Sequence, residues 1–155
     1  MAVTVGKKVP AFSAAITGSS DKWKLADAAG EKLVLYFYPK DMTTGCTKES
    51  QDFRDRHAAF RKAKVRVVGI SRDSLKSHDK FREKETLPFD LLSDEDEKVC
   101  KLFDVIREKS LYGRKYLGVD RSTFLIDANG VLQREWRGVK VPGHVEEVLE
   151  AAKSL

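Results

Sequence analysis

The segment around Cys46 has the composition of a nucleophilic site. It reads PKDMTTGCTKE from Pro39 to Glu49, and it lies between the apolar run LVLYFYP and a stretch with helical periodicity. A cysteine in the first turn of a helix faces backbone N–H groups that have no partner within the helix, together with the positive end of the helix dipole. Both favour the thiolate over the thiol, and the thiolate is the nucleophile. We therefore predict that Cys46 attacks a polarised bond.

Two neighbours of Cys46 are suited to that chemistry. Gly45 lets the backbone approach another group closely or adopt a strained turn. Thr43 stands three residues before the sulfur, and its hydroxyl can hydrogen-bond whatever sits there. A thiolate beside oriented donors, without an adjacent general base, suits attack on a bond whose leaving oxygen needs protons or hydrogen bonds.

Other uses of a strand–turn–helix junction fit this segment less well. Disulfide exchange at a helix start needs Cys-x-x-Cys, and Thr43 and Glu49 occupy the positions three residues to either side of Cys46. A phosphate-binding loop needs a glycine-rich run that ends in Gly-Lys-Ser/Thr, which GCTKES lacks.

The second cysteine, Cys100, stands far along the chain in VCKLF. Two cysteines so placed make neither a disulfide framework nor a zinc pattern. Cys100 shares the apolar side of a predicted helix with Val99 and Leu102, which favours a buried structural cysteine.

The apolar pattern alternates between strands and helices. It predicts an α/β protein in which a β-hairpin precedes the order β-α-β-α-β-α-β-β-α. This is the thioredoxin-like order with an N-terminal β-hairpin extension and a central mixed sheet flanked by helices. The predicted elements are strands at 33–39, 65–71, 87–93, 121–127 and 131–136 and helices at 46–63, 74–85, 95–103 and 144–153.

The segment Val105–Asp120 is long and basic for a simple connection. Long loops in compact domains are often functional, but an ordinary surface loop explains the segment equally well.

The amino-acid composition limits which classes of protein and of function are compatible with this chain. With 155 residues, 41% of them apolar and 34% charged, one globular domain over residues 1–155 is expected. No apolar run reaches the roughly 18 residues of a membrane span, and the N-terminus lacks the apolar stretch of a secretory signal, so the cytoplasm is the expected location.

The net charge is +5, but the basic residues are mixed with acidic ones along the chain, as on solvated helix faces. This pattern argues against a nucleic-acid partner. No haem, flavin or metal motif is visible, so no cofactor is expected, and none of the histidines is assigned to catalysis.

The segment PKDMTTGCTKE resembles the signature of the peroxiredoxins, in which a proline, three residues, a threonine and two residues precede the peroxidatic cysteine. Here those residues are Pro39, Thr43 and Cys46. From about residue 5 to the C-terminus the chain is similar to one branch, the bacterioferritin comigratory or Q-type peroxiredoxins. The similar segments are YFYPKDMTTGCTKE, VGISRDS, LLSDEDEKVCKLF and EKSLYGRKYLGVDRSTFLID.

The resemblance implies a peroxidase on a thioredoxin-like fold. Cys46 would attack a hydroperoxide and become a sulfenic acid, Thr43 would hydrogen-bond the peroxide, and Pro39 would shield the sulfur. Arg121 would hold the thiolate and polarise the peroxide. Glu49, one turn after Cys46, would orient Arg121 or would be an ordinary acid favoured by the helix dipole.

Three positions depart from the family pattern. Thr44 replaces a common proline. Gln51 and Arg82 stand where many Q-type members carry a resolving cysteine. A one-cysteine enzyme is therefore expected, resolved by an external thiol such as glutathione, thioredoxin or glutaredoxin. Cys100 or an intermolecular disulfide remains the alternative, and Q-type members suggest a monomer.

A different class of function also remains open. In it the chain is a binding or chaperone module with a thioredoxin fold, Cys46 is incidental, and the basic segment Arg107–Lys115 grips an anionic partner.

Overall fold

The computed structural model describes residues 3–155. Its strands are β1 (Ser13–Ile16), β2 (Trp23–Lys24), β3 (Lys32–Phe37), β4 (Val65–Ser71), β5 (Leu91–Ser93), β6 (Ile106–Leu111), β7 (Arg114–Val119), β8 (Ser122–Ile126) and β9 (Leu132–Trp136). Its helices are α1 (Thr44–Asp55), α2 (His57–Lys62), α3 (Leu75–Glu85), α4 (Lys98–Leu102) and α5 (His144–Lys153). None of the helices in this part of the chain has the length and apolar composition needed to span a bilayer.

Seven strands form one mixed sheet in the order β2-β1-β5-β4-β3-β8-β9. The central strands β3, β4 and β5 are parallel, and β1, β2, β8 and β9 pair antiparallel. The parallel centre follows from the long apolar runs of β3 and β4, which are buried on both faces. The predicted α/β fold, with an N-terminal hairpin and a mixed sheet flanked by helices, is confirmed.

The sheet separates two hydrophobic cores. Alternate residues of a strand point to opposite faces, so Leu35 and Phe37 of β3 pack into one core, while Val34 and Tyr36 pack into the other. The first core holds the N-terminal hairpin and α4, and the second holds residues of α1, α2, α3 and α5. The two faces also separate the two cysteines, as described below.

Two predicted helices differ from the observed ones. The single helix expected over 46–63 is broken at Arg56, where ψ is 8°. The pattern did not reveal the break because Phe53 and Phe60, two turns apart, are buried on either side of it. The helix expected over 95–103 is shorter because Glu97 has a φ of +64°, which a right-handed helix cannot continue.

The predicted loop at 105–120 was wrong, since most of this segment is the hairpin β6–β7, a separate two-stranded sheet. Its turn is Tyr112–Gly113, both with positive φ, which is the geometry of a tight two-residue hairpin turn. The strands are charged and partly exposed, so they lack the apolar alternation by which strands are recognised.

Candidate active site

Cys46 lies in the first turn of α1, as predicted, and its side chain is fully buried. The segment Pro39–Thr43 connects the end of β3 to this helix, and Thr43 is the N-cap residue. The Thr47 N–H donates to the Thr43 carbonyl, so the N–H groups of the preceding residues have no intrahelical acceptor. The sulfur therefore lies at the positive end of α1.

Arg121 reaches Cys46 because β8 pairs antiparallel with β3. Ser122, the first residue of β8, pairs with Phe37, the last residue of β3. Arg121 is thus placed beside the start of α1, and its Nη2 donates to Cys46 Sγ at 3.3 Å. The guanidinium supplies a fixed positive charge and oriented donors at the sulfur.

Gly45 makes room for this guanidinium. A Cβ atom at Gly45 would lie only 3.0 Å from Arg121 Nη2. The close approach that the sequence suggested for Gly45 is therefore an approach to Arg121.

Glu49 lies beside the same guanidinium. Its Oε1 accepts from Arg121 Nη1 at 2.7 Å, and its side chain is fully buried. Of the two interpretations of Glu49, an orienting partner of Arg121 or an ordinary first-turn acid favoured by the helix dipole, this contact is compatible with the first. One guanidinium thus bridges a thiol and a carboxyl group.

Burial and charge act against each other at Glu49. Burial raises the pKa of Glu49 from its usual 4.5 to about 7, although Arg121 attracts the carboxylate and opposes this rise. Burial also disfavours the Arg121 cation, but Glu49 and Cys46 outweigh it and raise the pKa of the guanidinium. Among the described residues, Glu49 Oε2 has no hydrogen-bond partner. A buried carboxyl group and a thiol therefore share a single cation.

The raised pKa of Glu49 predicts a pH-dependent stability. The pKa of Glu49 is about 7 in the folded state and about 4.5 in the unfolded state, so between these pH values the native state binds more protons than the unfolded state. The free energy of unfolding therefore falls as the pH rises from about 4.5 to about 7. Glu49→Gln should remove that loss, which amounts to at most about 3 kcal/mol because each pKa unit is worth about 1.4 kcal/mol. Urea unfolding at about pH 5 and about pH 8 measures it. Glu150→Gln, at an exposed helix position, is the control. Equal losses in wild type and Glu49→Gln would contradict the prediction.

Thr43 and Pro39 lie in the segment that precedes α1. Thr43 is exposed, and its hydroxyl donates to the Lys40 carbonyl at 2.8 Å. Pro39, two residues after the end of β3, is half-buried. Neither side chain is hydrogen-bonded to Cys46, so their predicted roles toward the peroxide and the sulfur stay predictions.

Cys100 lies in the core on the opposite face of the sheet from Cys46. Burial, and then the neighbouring Asp94 carboxylate, raise the pKa of the Cys100 thiol far above its ordinary value. A thiol that stays protonated is a poor nucleophile.

Gln51 and Arg82, where many Q-type members carry cysteine, both make polar contacts. Gln51 Nε2 donates to Glu85 Oε1 at 2.7 Å, which joins α1 to the end of α3. Arg82 Nε donates to the Phe89 carbonyl at 3.0 Å.

A polar cluster that the sequence did not indicate lies around Asp41, which is within the segment Pro39–Thr43. It contains Asp41, Asp73 and His78, whose ligand atoms lie within 4.8 Å of one another. Hydrogen bonds from Tyr38, Ser71 and Ser77 and an Asp41–His78 contact connect these residues. His78 and His144 have mostly polar neighbours along the sequence, yet both are buried. A histidine on a charged helix such as α3 carries no sequence signal of burial.

The chain is similar to known proteins over most of its length. Residues 5–135 match the model of the AhpC/TSA family. A putative peroxiredoxin Bcp of Coxiella burnetii is 49% identical, covering 96% of this chain and 98% of that protein. Peroxiredoxin Bcp of Bacillus subtilis is 46% identical, covering 100% of this chain and 98% of the relative.

A solved structure is similar over most of its length. It is the bacterioferritin comigratory protein of Xanthomonas campestris, solved in work on its alkyl peroxide reduction activity. The TM-score is 0.87 at 46% identity, covering 92% of this chain and 90% of that one. This chain therefore belongs to the AhpC/TSA family, and within it to the Bcp peroxiredoxins, which are thiol-dependent peroxidases.

Proposed function

We propose that this peroxiredoxin works as a one-cysteine enzyme in which Cys46 is the peroxidatic nucleophile and Arg121 its electrostatic partner. The observation that carries the proposal is the 3.3 Å contact between Arg121 Nη2 and Cys46 Sγ at the N-terminus of α1. The same donors that hold the thiolate can hold the developing negative charge on the peroxide oxygens.

The reaction transfers one oxygen atom. The Cys46 thiolate attacks one oxygen of a hydroperoxide, a sulfur–oxygen bond forms and the oxygen–oxygen bond breaks. The sulfur is oxidised to a sulfenic acid, and the departing oxygen takes up a proton and leaves as water or an alcohol. Hydrogen peroxide and organic hydroperoxides both supply this bond.

Thr43 and Pro39 complete the site. Because the Thr43 hydroxyl donates its proton to the Lys40 carbonyl, its oxygen is left as an acceptor for the peroxide O–H. Pro39 covers the sulfur with an apolar ring that carries no N–H donor. Glu49 orients Arg121 through the bond to Nη1.

An external thiol completes the cycle. Gln51 and Arg82 replace the usual resolving cysteines, and the sheet lies between Cys46 and Cys100. A disulfide needs Cα atoms less than about 7 Å apart. Two cysteines in cores on opposite faces of a sheet are poorly placed to meet this requirement. The reductant in this proposal is glutathione, thioredoxin or glutaredoxin. The enzyme acts as a monomer. Its two cysteines are free thiols, which suits a protein of the reducing cytoplasm.

Intact mass after one equivalent of hydrogen peroxide tests the one-cysteine assignment. Reduced wild-type protein and Cys100→Ser should both gain one oxygen atom and keep it until an external thiol is added. Loss of two hydrogens within one chain, abolished by Cys100→Ser, would make Cys100 the resolving residue. No change at Cys46 would contradict its assignment as the peroxidatic residue.

A further inference from the structure

Asp41 anchors the segment that precedes the active-site helix. Its N–H donates to Asp73 Oδ2 at 2.9 Å. Its carboxylate accepts from Tyr38 Oη at 2.6 Å and from Ser77 Oγ at 2.8 Å, and it meets His78 Nδ1 at 2.7 Å. The main chain of Asp41 is thus hydrogen-bonded to the loop before α3, and its side chain is hydrogen-bonded to the first turns of α3.

The hydrogen bonds of His78 determine where its protons lie. Nε2 is 2.8 Å from the Leu92 carbonyl, which can only accept, so Nε2 carries a proton. Nδ1 is 2.7 Å from Asp41 Oδ2, and two lone pairs at this distance would repel each other. One further proton therefore lies between His78 and Asp41, and the fully buried imidazole links Asp41 to β5.

The anchored segment is short and strained. Met42, which follows Asp41, has a φ of +64°, a conformation that a residue with a Cβ adopts at a cost. Thr43, the N-cap of α1, comes next, and Cys46 is three residues further on. Because a strained segment persists only when its surroundings hold it, the bonds to Asp41 maintain the geometry of Thr43 and the first turn of α1.

We propose that His78, acting through Asp41, is a positioning residue for the peroxidase reaction: it holds the segment Pro39–Thr43 where Thr43 meets the peroxide. His78 touches neither the sulfur nor the substrate. The proposal rests on the assignment of Cys46 and Thr43 made above.

Two substitutions separate the two hydrogen bonds of His78. In His78→Asn the amide N–H₂ stands near the place of Nδ1 and can still donate to Asp41. In His78→Gln the amide reaches the place of Nε2 and can donate to Leu92, but the donor to Asp41 is lost. Lys80→Ala, at an exposed position of α3, is the neutral control.

Two rates at Cys46 are measured for each variant: oxidation by hydrogen peroxide and alkylation by iodoacetamide. Alkylation needs the thiolate but no bound peroxide. We expect oxidation in His78→Gln to fall about tenfold to hundredfold, the loss typical of slight misplacement in an active site, while alkylation stays within about twofold of wild type. His78→Asn should recover most of the oxidation rate.

Oxidation at the wild-type rate in His78→Gln would overturn the proposal, as would equal losses in His78→Gln and His78→Asn. If His78→Gln does not fold, Asp41→Asn provides the test, since it keeps the shape of the side chain but removes the carboxylate that meets His78 Nδ1; an unchanged oxidation rate there would also overturn the proposal. Failure of the proposed function is distinguishable, because then wild-type Cys46 itself would not react with peroxide.

Discussion

Replacing Cys46 by serine is expected to abolish the peroxidase activity, leaving only the uncatalysed reaction. A serine hydroxyl does not ionise near neutral pH and has no general base beside it, so the thiolate chemistry has no substitute. Consumption of hydrogen peroxide in the presence of an excess of dithiothreitol measures the effect. Since Cys46 is one of two thiols, Cys100→Ser is the matched control and should keep most of the wild-type rate.

Cys46→Ser also separates the two classes of function considered from the sequence. A binding module in which Cys46 is incidental would keep its function in this variant and would show no peroxide consumption in the wild type. Turnover that persists in Cys46→Ser and disappears in Cys100→Ser would instead assign the chemistry to Cys100.

Replacing Arg121 by glutamine should lower the rate of Cys46 oxidation by about 10²–10³-fold, the loss typical of removing one preorganised donor from a developing negative charge. Glutamine is too short to bridge Cys46 and Glu49, and it carries no charge. Stopped-flow measurement of the reaction with hydrogen peroxide over a range of concentrations gives the second-order rate constant. A rate within a few-fold of wild type would contradict the electrostatic role of Arg121.

Stability must be separated from catalysis in that experiment. Arg121→Gln leaves Glu49 buried without its cation, which is destabilising in its own right. The double variant with Glu49→Gln removes this buried acid as well. It should recover stability toward urea while the oxidation rate stays low, because neither change restores a cation beside Cys46.

The sequence determined the features that depend on neighbours along the chain. The strand at Val65–Ser71 and the helix at His144–Lys153 were predicted with their observed bounds, because each has the apolar periodicity of its element. The position of Cys46 in the first turn of a helix was also visible, since a strand, a proline and a helical pattern follow one another directly. Arg121, which stands 75 positions from Cys46, was connected to it only through the family resemblance.

Tertiary structure decided the rest of the site. The antiparallel pairing of β8 with β3 brings Arg121 to the sulfur, and the sheet places Cys100 in the other core. Which strand of a mixed sheet neighbours which depends on the packing of the whole chain. Burial of Glu49 and His78 was equally hidden, because most charged and polar residues are exposed and their partners here come from distant elements. Local pattern thus located Cys46 and Glu49, and long-range pairing brought Arg121 to both of them and placed His78 beside Asp41.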